Sequence, residues 1–462
     1  MVPRSRNVNF LEDKKMRKQT HGALIFRDFE RQYPFISHGD GIYLFDEGGK
    51  RYIDGSSGSA AVSNIGHGVK EIVSVIETEA KRLAYCPSHY FANRSAIELA
   101  DLLAEVAPDG LNKVWLVSDG SEATESAVKL ARQYHLEKGN GTKSVVISRW
   151  QSYHGATLGA LGFGGLTLRR KKYLPLFVDS PHIPAAYCYR CYFQKEYPSC
   201  GILCAWSLEK TIREVGPENV AAFIAEPVVG AALGAVPPVG EYFRIIRDIC
   251  NRYDVLLIAD EVMTGFGRTG EMFGIDHWKV KPDLMACAKG ISGGYVPLGA
   301  VIVDGRIVDL MEKNKSGIVS GHTYSAHHLI AAVGVETIQY ILKHDLVRKA
   351  RENGQYFLQE LKKLSIHPIV GDIRGIGLFA GIELVKNKAT REPFAPGEQV
   401  AAKIGVEALK RGLITYPGSG SVDGVMGDHI LMAPPLIIER SEIDQVVSIL
   451  DESIEYVQKM VS

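Results

Sequence analysis

The chain lacks two features that would direct it to a large charged or apolar partner. Its Lys and Arg residues number 53, and its Asp and Glu residues also number 53, so no net field recruits nucleic acid or an anionic membrane. Its interior apolar runs stay near strand length, far below the roughly 20 residues that a membrane-spanning helix needs. With 46% hydrophobic residues among 462, the sequence predicts two or three domains that act on a small ligand.

Cysteine occurs at about average frequency, and its number is odd. Seven cysteines favour reduced thiols over a disulfide framework. Four of them lie in one turn-rich segment, and their count and outer spacings suit tetrahedral zinc: Cys188, Cys191, Cys200 and Cys204. Because the middle spacing is short for a zinc ribbon, we predict reduced structural thiols and no metal, with a structural zinc as the alternative.

The N-terminal stretch carries no familiar targeting signal. Residues 1–18 are basic but lack the apolar core of a secretory signal. Glu12 and Asp13 argue against a transit peptide, because transit peptides are poor in acidic residues. We therefore expect a cytoplasmic protein.

Short apolar runs alternate with segments of helical period between about residues 111 and 303. This alternation is typical of an α/β fold with a mainly parallel sheet that is buried on both faces. The predicted strands are KVWLV at 113–117, SVVIS at 144–148, VAAFI at 220–224, VLLI at 255–258, DLMA at 283–286 and GAVIV at 299–303.

Beyond about residue 329 the pattern changes to a smaller α+β region. We expect helices near residues 331–342, 400–411 and 443–457, and a strand near 377–384. The predicted division is a large domain over residues 61–330 and a small C-terminal domain over 331–462. An N-terminal segment, residues 1–60, is expected to pack with the small domain.

Asp260 and Lys289 are the most informative residue pair. Each lies where an apolar run ends, and 29 positions separate them, about the length of one strand, crossover and strand. Two parallel strands would therefore bring both residues to the sheet edge where ligands of open α/β sheets bind. A lysine there, followed by glycines, suits a Schiff base. The carboxylate would keep a pyridine nitrogen protonated, which is the layout of a pyridoxal-phosphate enzyme.

Four further residues suit the same cofactor. Gly120 and Ser121 open a helix after a predicted strand, so their backbone N–H groups form either an anion site or an ordinary N-terminal cap. Tyr153 also follows a strand and could stack on the cofactor or simply pack. Thr323 could give a hydroxyl to a phosphate or serve as a turn residue.

Taken together, the chain resembles the class III pyridoxal-phosphate aminotransferases, the ω-aminotransferase group of fold type I. The likeness runs from YLFD at residues 43–46 and IGHG at 65–68 to APPL at 433–436. Its most specific part is ADEVMTGFGRTG at 259–270, followed by AKG at 288–290. The resemblance implies a large domain with a mainly parallel seven-stranded sheet and a smaller α+β domain built from both termini.

The resemblance also implies roles for individual residues. Lys289 would hold pyridoxal 5′-phosphate and shuttle the proton, and Asp260 would contact the pyridine nitrogen. The remaining cofactor contacts would come from Val262 and Tyr153 on the two ring faces and from Gly120, Ser121 and the partner subunit's Thr323 at the phosphate. Such a shared site implies a homodimer, or a tetramer made of dimers.

Three departures from the family pattern concern the substrate pocket, which would include Tyr153. Relatives that bind an α-carboxylate usually carry Arg where this chain has Tyr416, and some relatives carry a gating Glu where it has Ala231. Ala60 stands where many amine:pyruvate enzymes place Trp. We therefore expect a donor such as an ω-amino acid, a diamine or another primary amine, and a small keto acid such as pyruvate as the acceptor, in a ping-pong reaction. The sequence does not locate an Arg for the acceptor's carboxylate.

Two alternatives remain at this point. A decarboxylase or an aminomutase would use the same lysine and carboxylate, and product analysis with and without a keto acceptor separates them from an aminotransferase. A non-catalytic, zinc-stabilised binding protein would depend on the cysteine segment, but the intact set of Asp260, Lys289 and Gly120 argues against it.

Overall fold

The structure is a computed structural model that describes residues 23–29 and 31–461. The basic N-terminal stretch considered for targeting lies outside the described residues. The described chain begins with an antiparallel meander of three strands, which is followed by two helices: β1 (Ile36–Asp40), β2 (Tyr43–Asp46), β3 (Arg51–Asp54), α1 (Lys70–Arg82) and α2 (Arg94–Val106).

A seven-stranded sheet forms the centre of the molecule. Its strands are β4 (Leu111–Val117), β5 (Val145–Arg149), β6 (His182–Ile183), β7 (Val220–Ala225), β8 (Leu256–Asp260), β9 (Leu284–Ala288) and β10 (Gly299–Asp304). Across the sheet they lie in the order β4-β10-β9-β8-β7-β5-β6. The strands from β9 to β6 are parallel, and β10 runs antiparallel to both β9 and β4. The prediction of a mainly parallel sheet is confirmed.

Helices cover both faces of this sheet, which explains the uninterrupted burial of β7, β8 and β9. They are α3 (Gly120–Glu137), α4 (Leu158–Phe163), α5 (Thr167–Arg170), α6 (Leu203–Val215), α7 (Tyr242–Tyr253) and α8 (Gly305–Lys313). Helix α3 begins where the Asp119 side chain accepts a hydrogen bond from the Glu122 N–H. It ends before Gly139, whose φ of +84° suits a glycine.

The C-terminal region adds a second, antiparallel sheet in the order β11-β12-β15-β14. Its elements are α9 (His328–Lys343), α10 (Leu346–Lys362), β11 (Val370–Gly375), β12 (Ala380–Leu384), α11 (Val400–Lys410), β13 (Leu413–Ile414), β14 (Tyr416–Ser419), β15 (Asp428–Met432) and α12 (Arg440–Val461). Strand β13 pairs in parallel with β3 and so joins the two ends of the chain in one sheet. The domain limits at residues 60 and 330 stay a prediction.

Helix length and composition also bear on the membrane. Within residues 23–29 and 31–461, no helix combines the length and the apolar character needed to cross a bilayer.

Candidate active site

A cavity of about 440 Å³ opens where β8 and β9 end and α3 begins. This is the sheet edge at which the sequence placed the site. Six of the predicted site residues line the cavity: Gly120, Ser121, Tyr153, Asp260, Val262 and Lys289. The topology brings them together because β8 and β9 are parallel neighbours, with Asp260 opposite Ala286.

Lys289 sits directly after β9 in a left-handed backbone conformation, with φ +53°. A residue other than glycine rarely adopts this backbone conformation unless its surroundings enforce it, since the conformation costs on the order of 1–3 kcal/mol. The next residue must be small, because a Cβ on Gly290 would lie 3.0 Å from Asn64 Nδ2 and 3.2 Å from Phe266 Cβ. The tight turn therefore fixes the point from which the lysine side chain starts.

The environment of Lys289 favours the neutral amine. Burial lowers the pKa of its ammonium from 10.5 to about 8, although the negative charges of Asp260 and Glu226 partly oppose this shift. The positive charge of Arg169 adds to the decrease in pKa. A neutral amine is the nucleophilic form, so Lys289 is suited to attack a carbonyl carbon near neutral pH.

Asp260 is held firmly by two donors. Its Oδ2 lies 2.7 Å from Nδ1 of His154, and its Oδ1 accepts a hydrogen bond of 3.0 Å from the Val262 N–H. The side chains of Asp260 and His154 are almost fully buried. Thr124 Oγ1 donates to the His154 carbonyl oxygen at 2.7 Å, which fixes the loop that carries the imidazole. The geometry places one oriented carboxylate at the floor of the cavity.

A second acidic group, Glu226, lies close to this pair and lines the same cavity. Burial and the charge of Asp260 raise the pKa of its carboxyl to about 7. Sequence reasoning assigned no role to Glu226 or His154. Both lie near residues that the sequence analysis had identified, because His154 follows Tyr153 and Glu226 begins the segment that ends at Ala231. Their convergence on Asp260 depends on strand order, which local patterns do not reveal.

The start of α3 forms the narrow end of the cavity. The N–H groups in the first turn of a helix have no partner within the helix and attract anions. A Cβ on Gly120 would lie 3.0 Å from Val262 Cγ1, and one on Gly155 would lie 2.8 Å from Ser121 Cβ. Ser121 Oγ accepts a hydrogen bond of 3.1 Å from the Ala156 N–H. Glycine at these two positions thus allows Val262 and Ser121 to pack closely around a small recess at the start of α3.

The sequence model of the family described as Aminotransferase class-III matches residues 27–454. The chain belongs to the class III aminotransferases. As a family these enzymes depend on pyridoxal phosphate, and the membership confirms both the enzyme class and the resemblance drawn from the motifs.

Individual relatives agree with this membership. The aminotransferase is 38% identical to an uncharacterised aminotransferase of Bacillus subtilis, YodT, over 94% of this chain and 98% of that protein. It is 37% identical to a putrescine–pyruvate aminotransferase of Pseudomonas aeruginosa, over 91% of this chain and 92% of that protein. A crystal structure of a transaminase from the marine bacterium Virgibacillus superposes with a TM-score of 0.89 at 37% identity, covering 96% and 98% of the two chains. The predicted fold class is confirmed.

Four of the predicted site residues do not line the cavity of this aminotransferase chain. Ala60 lies in a tight turn over Ser57–Ala61, and the Ala231 carbonyl faces Nε2 of His429 at 3.3 Å. The Thr323 carbonyl accepts a hydrogen bond of 2.7 Å from the Tyr85 hydroxyl.

The fourth residue, Tyr416, has a partner that sequence reasoning missed. Nη2 of Arg169 donates to its hydroxyl oxygen at 3.3 Å. The same guanidinium lies over the ring of Tyr153, with Cζ 4.9 Å from the ring centroid. Arg169 stands in the basic run of residues 169–172, a pattern more typical of a solvated surface, so the sequence held no signal for this contact.

The seven cysteines are all free thiols. Cys188, Cys191, Cys200 and Cys204 lie around one small surface recess. Across the part of the chain that the structure describes, no group of three or more His, Cys, Asp or Glu residues is arranged to hold a metal ion.

Proposed function

We propose that this class III aminotransferase binds pyridoxal 5′-phosphate in the cavity between β8, β9 and α3. It would move an amino group from an ω-amino acid, a diamine or another primary amine to a small keto acid, for which pyruvate is our expectation. The two half-reactions would follow one another in a ping-pong order. The observation that carries the proposal is the shared cavity of Lys289, with its lowered pKa, and the oriented carboxylate of Asp260.

The residues present fit the cofactor. The recess at Gly120 and Ser121 suits a phosphate group, because both residues line the cavity and the first turn of α3 offers N–H groups without partners inside the helix. Val262 and Tyr153 line the cavity and would pack against the cofactor's ring. When bound, the cofactor supplies an electron-poor ring that accepts the electron pair released when a C–H bond of the substrate breaks.

The chain itself supplies the proton transfers. Lys289 Nζ would hold the cofactor, and as a free neutral amine it would take the proton from the amino-bearing carbon of the substrate and return it. The Asp260 carboxylate would keep a proton on the ring nitrogen, and His154 Nδ1–H orients that carboxylate through the 2.7 Å hydrogen bond. Glu226 adds a group that is ready to exchange a proton near neutral pH.

The proposed donor class rests on how the chain departs from its relatives at three positions, which lie outside the lining of the cavity. A buried carboxylate needs a charged or multiply hydrogen-bonding partner. Tyr416 stands where relatives carry an Arg for this purpose, and Ala231 stands where some carry the Glu that holds this Arg aside when it is not needed. Ala60 leaves room where others carry Trp. The similarity to a putrescine–pyruvate aminotransferase supports a diamine donor and pyruvate as acceptor.

We further propose a homodimer with shared active sites, in which Thr323 contacts the phosphate bound by the other subunit. Two such dimers could assemble into a tetramer. Thr323 does not line the cavity of its own chain, and its carbonyl oxygen accepts a hydrogen bond from the Tyr85 hydroxyl. A cytoplasmic location remains our expectation.

The proposal is tested on the purified holoenzyme. Borohydride treatment, digestion and mass spectrometry should find the cofactor on the peptide that contains Lys289. Lys289→Ala should show no adduct, whereas the exposed control Lys172→Met should keep it. Donors would then be screened against pyruvate and 2-oxoglutarate. Release of carbon dioxide or a rearranged amine without a keto acceptor would refute the aminotransferase assignment.

A further inference from the structure

Arg169 is a cation without an acidic partner beside the candidate site. It lies in the short helix α5, half-buried, and makes no ion pair within residues 23–29 and 31–461. Its contacts are the 3.3 Å hydrogen bond to the Tyr416 hydroxyl and the stacking over the Tyr153 ring. Both contacts are with neutral groups, so its charge stays uncompensated.

The neighbouring Arg170 has a structural role that Arg169 does not share. Arg170 is buried, and its Nε and Nη2 donate to the carbonyl oxygens of Leu161 and Gly162 at 3.0 and 2.9 Å. These bonds fix the backbone of the loop. Arg169 makes no such contact, and its donors remain available for an anion.

Arg169 lies next to a residue that lines the candidate active site. Tyr153, under its guanidinium, lines the cavity that holds Lys289. The positive charge of Arg169 also acts on Lys289, since it lowers the pKa of the Lys289 ammonium. The Tyr416 hydroxyl, which it contacts, belongs to the position where relatives carry their own Arg. The guanidinium of Arg169, which belongs to α5, therefore lies beside this position of β14.

We propose that Arg169, together with the Tyr416 hydroxyl, binds the carboxylate of the 2-oxo acid acceptor. This role rests on the proposed function and specifies how the enzyme binds its acceptor substrate. A 2-oxo acid brings a carboxylate whose removal from water must be offset, and a guanidinium offers two parallel N–H donors with the matching geometry. A donor amine without a carboxylate makes no use of the site and leaves Arg169 on Tyr416.

The two half-reactions separate this role from a structural one. Holoenzyme would be mixed in a stopped-flow instrument with a primary amine that lacks a carboxylate. The amino-loaded enzyme would then be mixed with either pyruvate or butanal, an aldehyde without a carboxylate. Arg169→Met keeps a side chain of similar length but removes the charge. Lys172→Met removes an exposed charge from the same basic run and serves as the matched control.

In Arg169→Met we expect the ratio of kcat/KM for pyruvate to that for butanal to fall about 10- to 100-fold, the range for hydrogen bonds to charged groups. Arg169→Lys should recover part of this ratio, and Tyr416→Phe should lower it by a smaller factor. Propionate, which cannot react, should bind the parent holoenzyme more tightly than Arg169→Met in calorimetry.

An unchanged ratio, with both acceptors slowed equally, would overturn the inference and leave Arg169 as a support for Tyr153. A parent enzyme that converts the amine but passes its amino group to butanal and not to pyruvate would also overturn it. A parent that accepts an amino group from no amine would instead refute the proposed function.

Discussion

The titration of Lys289 provides the most direct check on the electrostatics of the site. Burial and the charge of Arg169 bring the pKa of its ammonium to about 8, against an ordinary value of 10.5. At pH 7, about one molecule in ten would then carry the neutral amine, whereas an ordinary lysine would be neutral in about one of 3,000. The ratio is about 300-fold, which corresponds to about 3 kcal/mol.

This magnitude is an upper value, because the side chain faces a cavity that admits water once the cofactor is removed. We expect Lys289 in cofactor-free protein to gain at least about 30-fold in neutral fraction over an exposed lysine. The sign follows from the charges. Asp260 stabilises the ammonium, so Asp260→Asn should lower the pKa of Lys289 further, and Arg169→Met should raise it.

The assay is a series of short reductive methylation pulses at different pH values, followed by digestion and mass spectrometry. The midpoint of each pH profile gives the pKa and does not depend on how quickly the reagent enters the cavity. Lys172, which is exposed, supplies the internal reference in the same sample. The reasoning would be refuted if Lys289 and Lys172 titrated together, or if Asp260→Asn raised the midpoint of Lys289.

Three further predictions concern the cofactor. Asp260→Asn should slow the donor half-reaction about 100- to 1,000-fold, as loss of an oriented charge does, while cofactor retention on gel filtration stays near that of the parent; a normal single-turnover rate would contradict this role. Gly155→Ala should weaken cofactor retention and lower the Tm, because its Cβ would lie 2.8 Å from Ser121 Cβ at a φ of +142°; an unchanged Tm with full retention would count against the recess. Dilution of the dimer should release cofactor in parallel with dissociation, and a monomer that retains it as tightly would exclude a phosphate contact from the partner's Thr323.

The central sheet could be predicted because its strands are fully buried and therefore appear as continuous apolar runs. All six predicted runs overlap strands of the sheet. The seventh strand, His182–Ile183, is only two residues long and has no pattern of its own. The antiparallel direction of β10 had a signal in the connection from β9, since about ten residues are too few for a parallel crossover.

The candidate site was predictable only in part, for a similar reason. Asp260, Lys289 and Gly120 each end or follow a strand, so the parallel topology alone brings them to one edge. His154, Glu226 and Arg169 reach the site through contacts between segments that are distant in sequence. The distance of 2.7 Å from His154 to Asp260 joins positions 106 residues apart, and no local pattern encodes such a pairing.

The charges around Lys289 also connect substrate choice with proton transfer. Asp260 and Glu226 raise the pKa of Lys289, and Arg169 lowers it. An acceptor carboxylate bound by Arg169 would cancel that positive charge, so the pKa of Lys289 would rise when the acceptor enters. A donor without a carboxylate would leave the pKa low. In each half-reaction Lys289 must take a proton from one carbon and deliver it to another, so a lower pKa would favour the delivery step with the donor and a higher pKa would favour the removal step with the acceptor. One arginine would thus distinguish the two substrates twice, first by binding only the acceptor and then by adjusting the base that serves both.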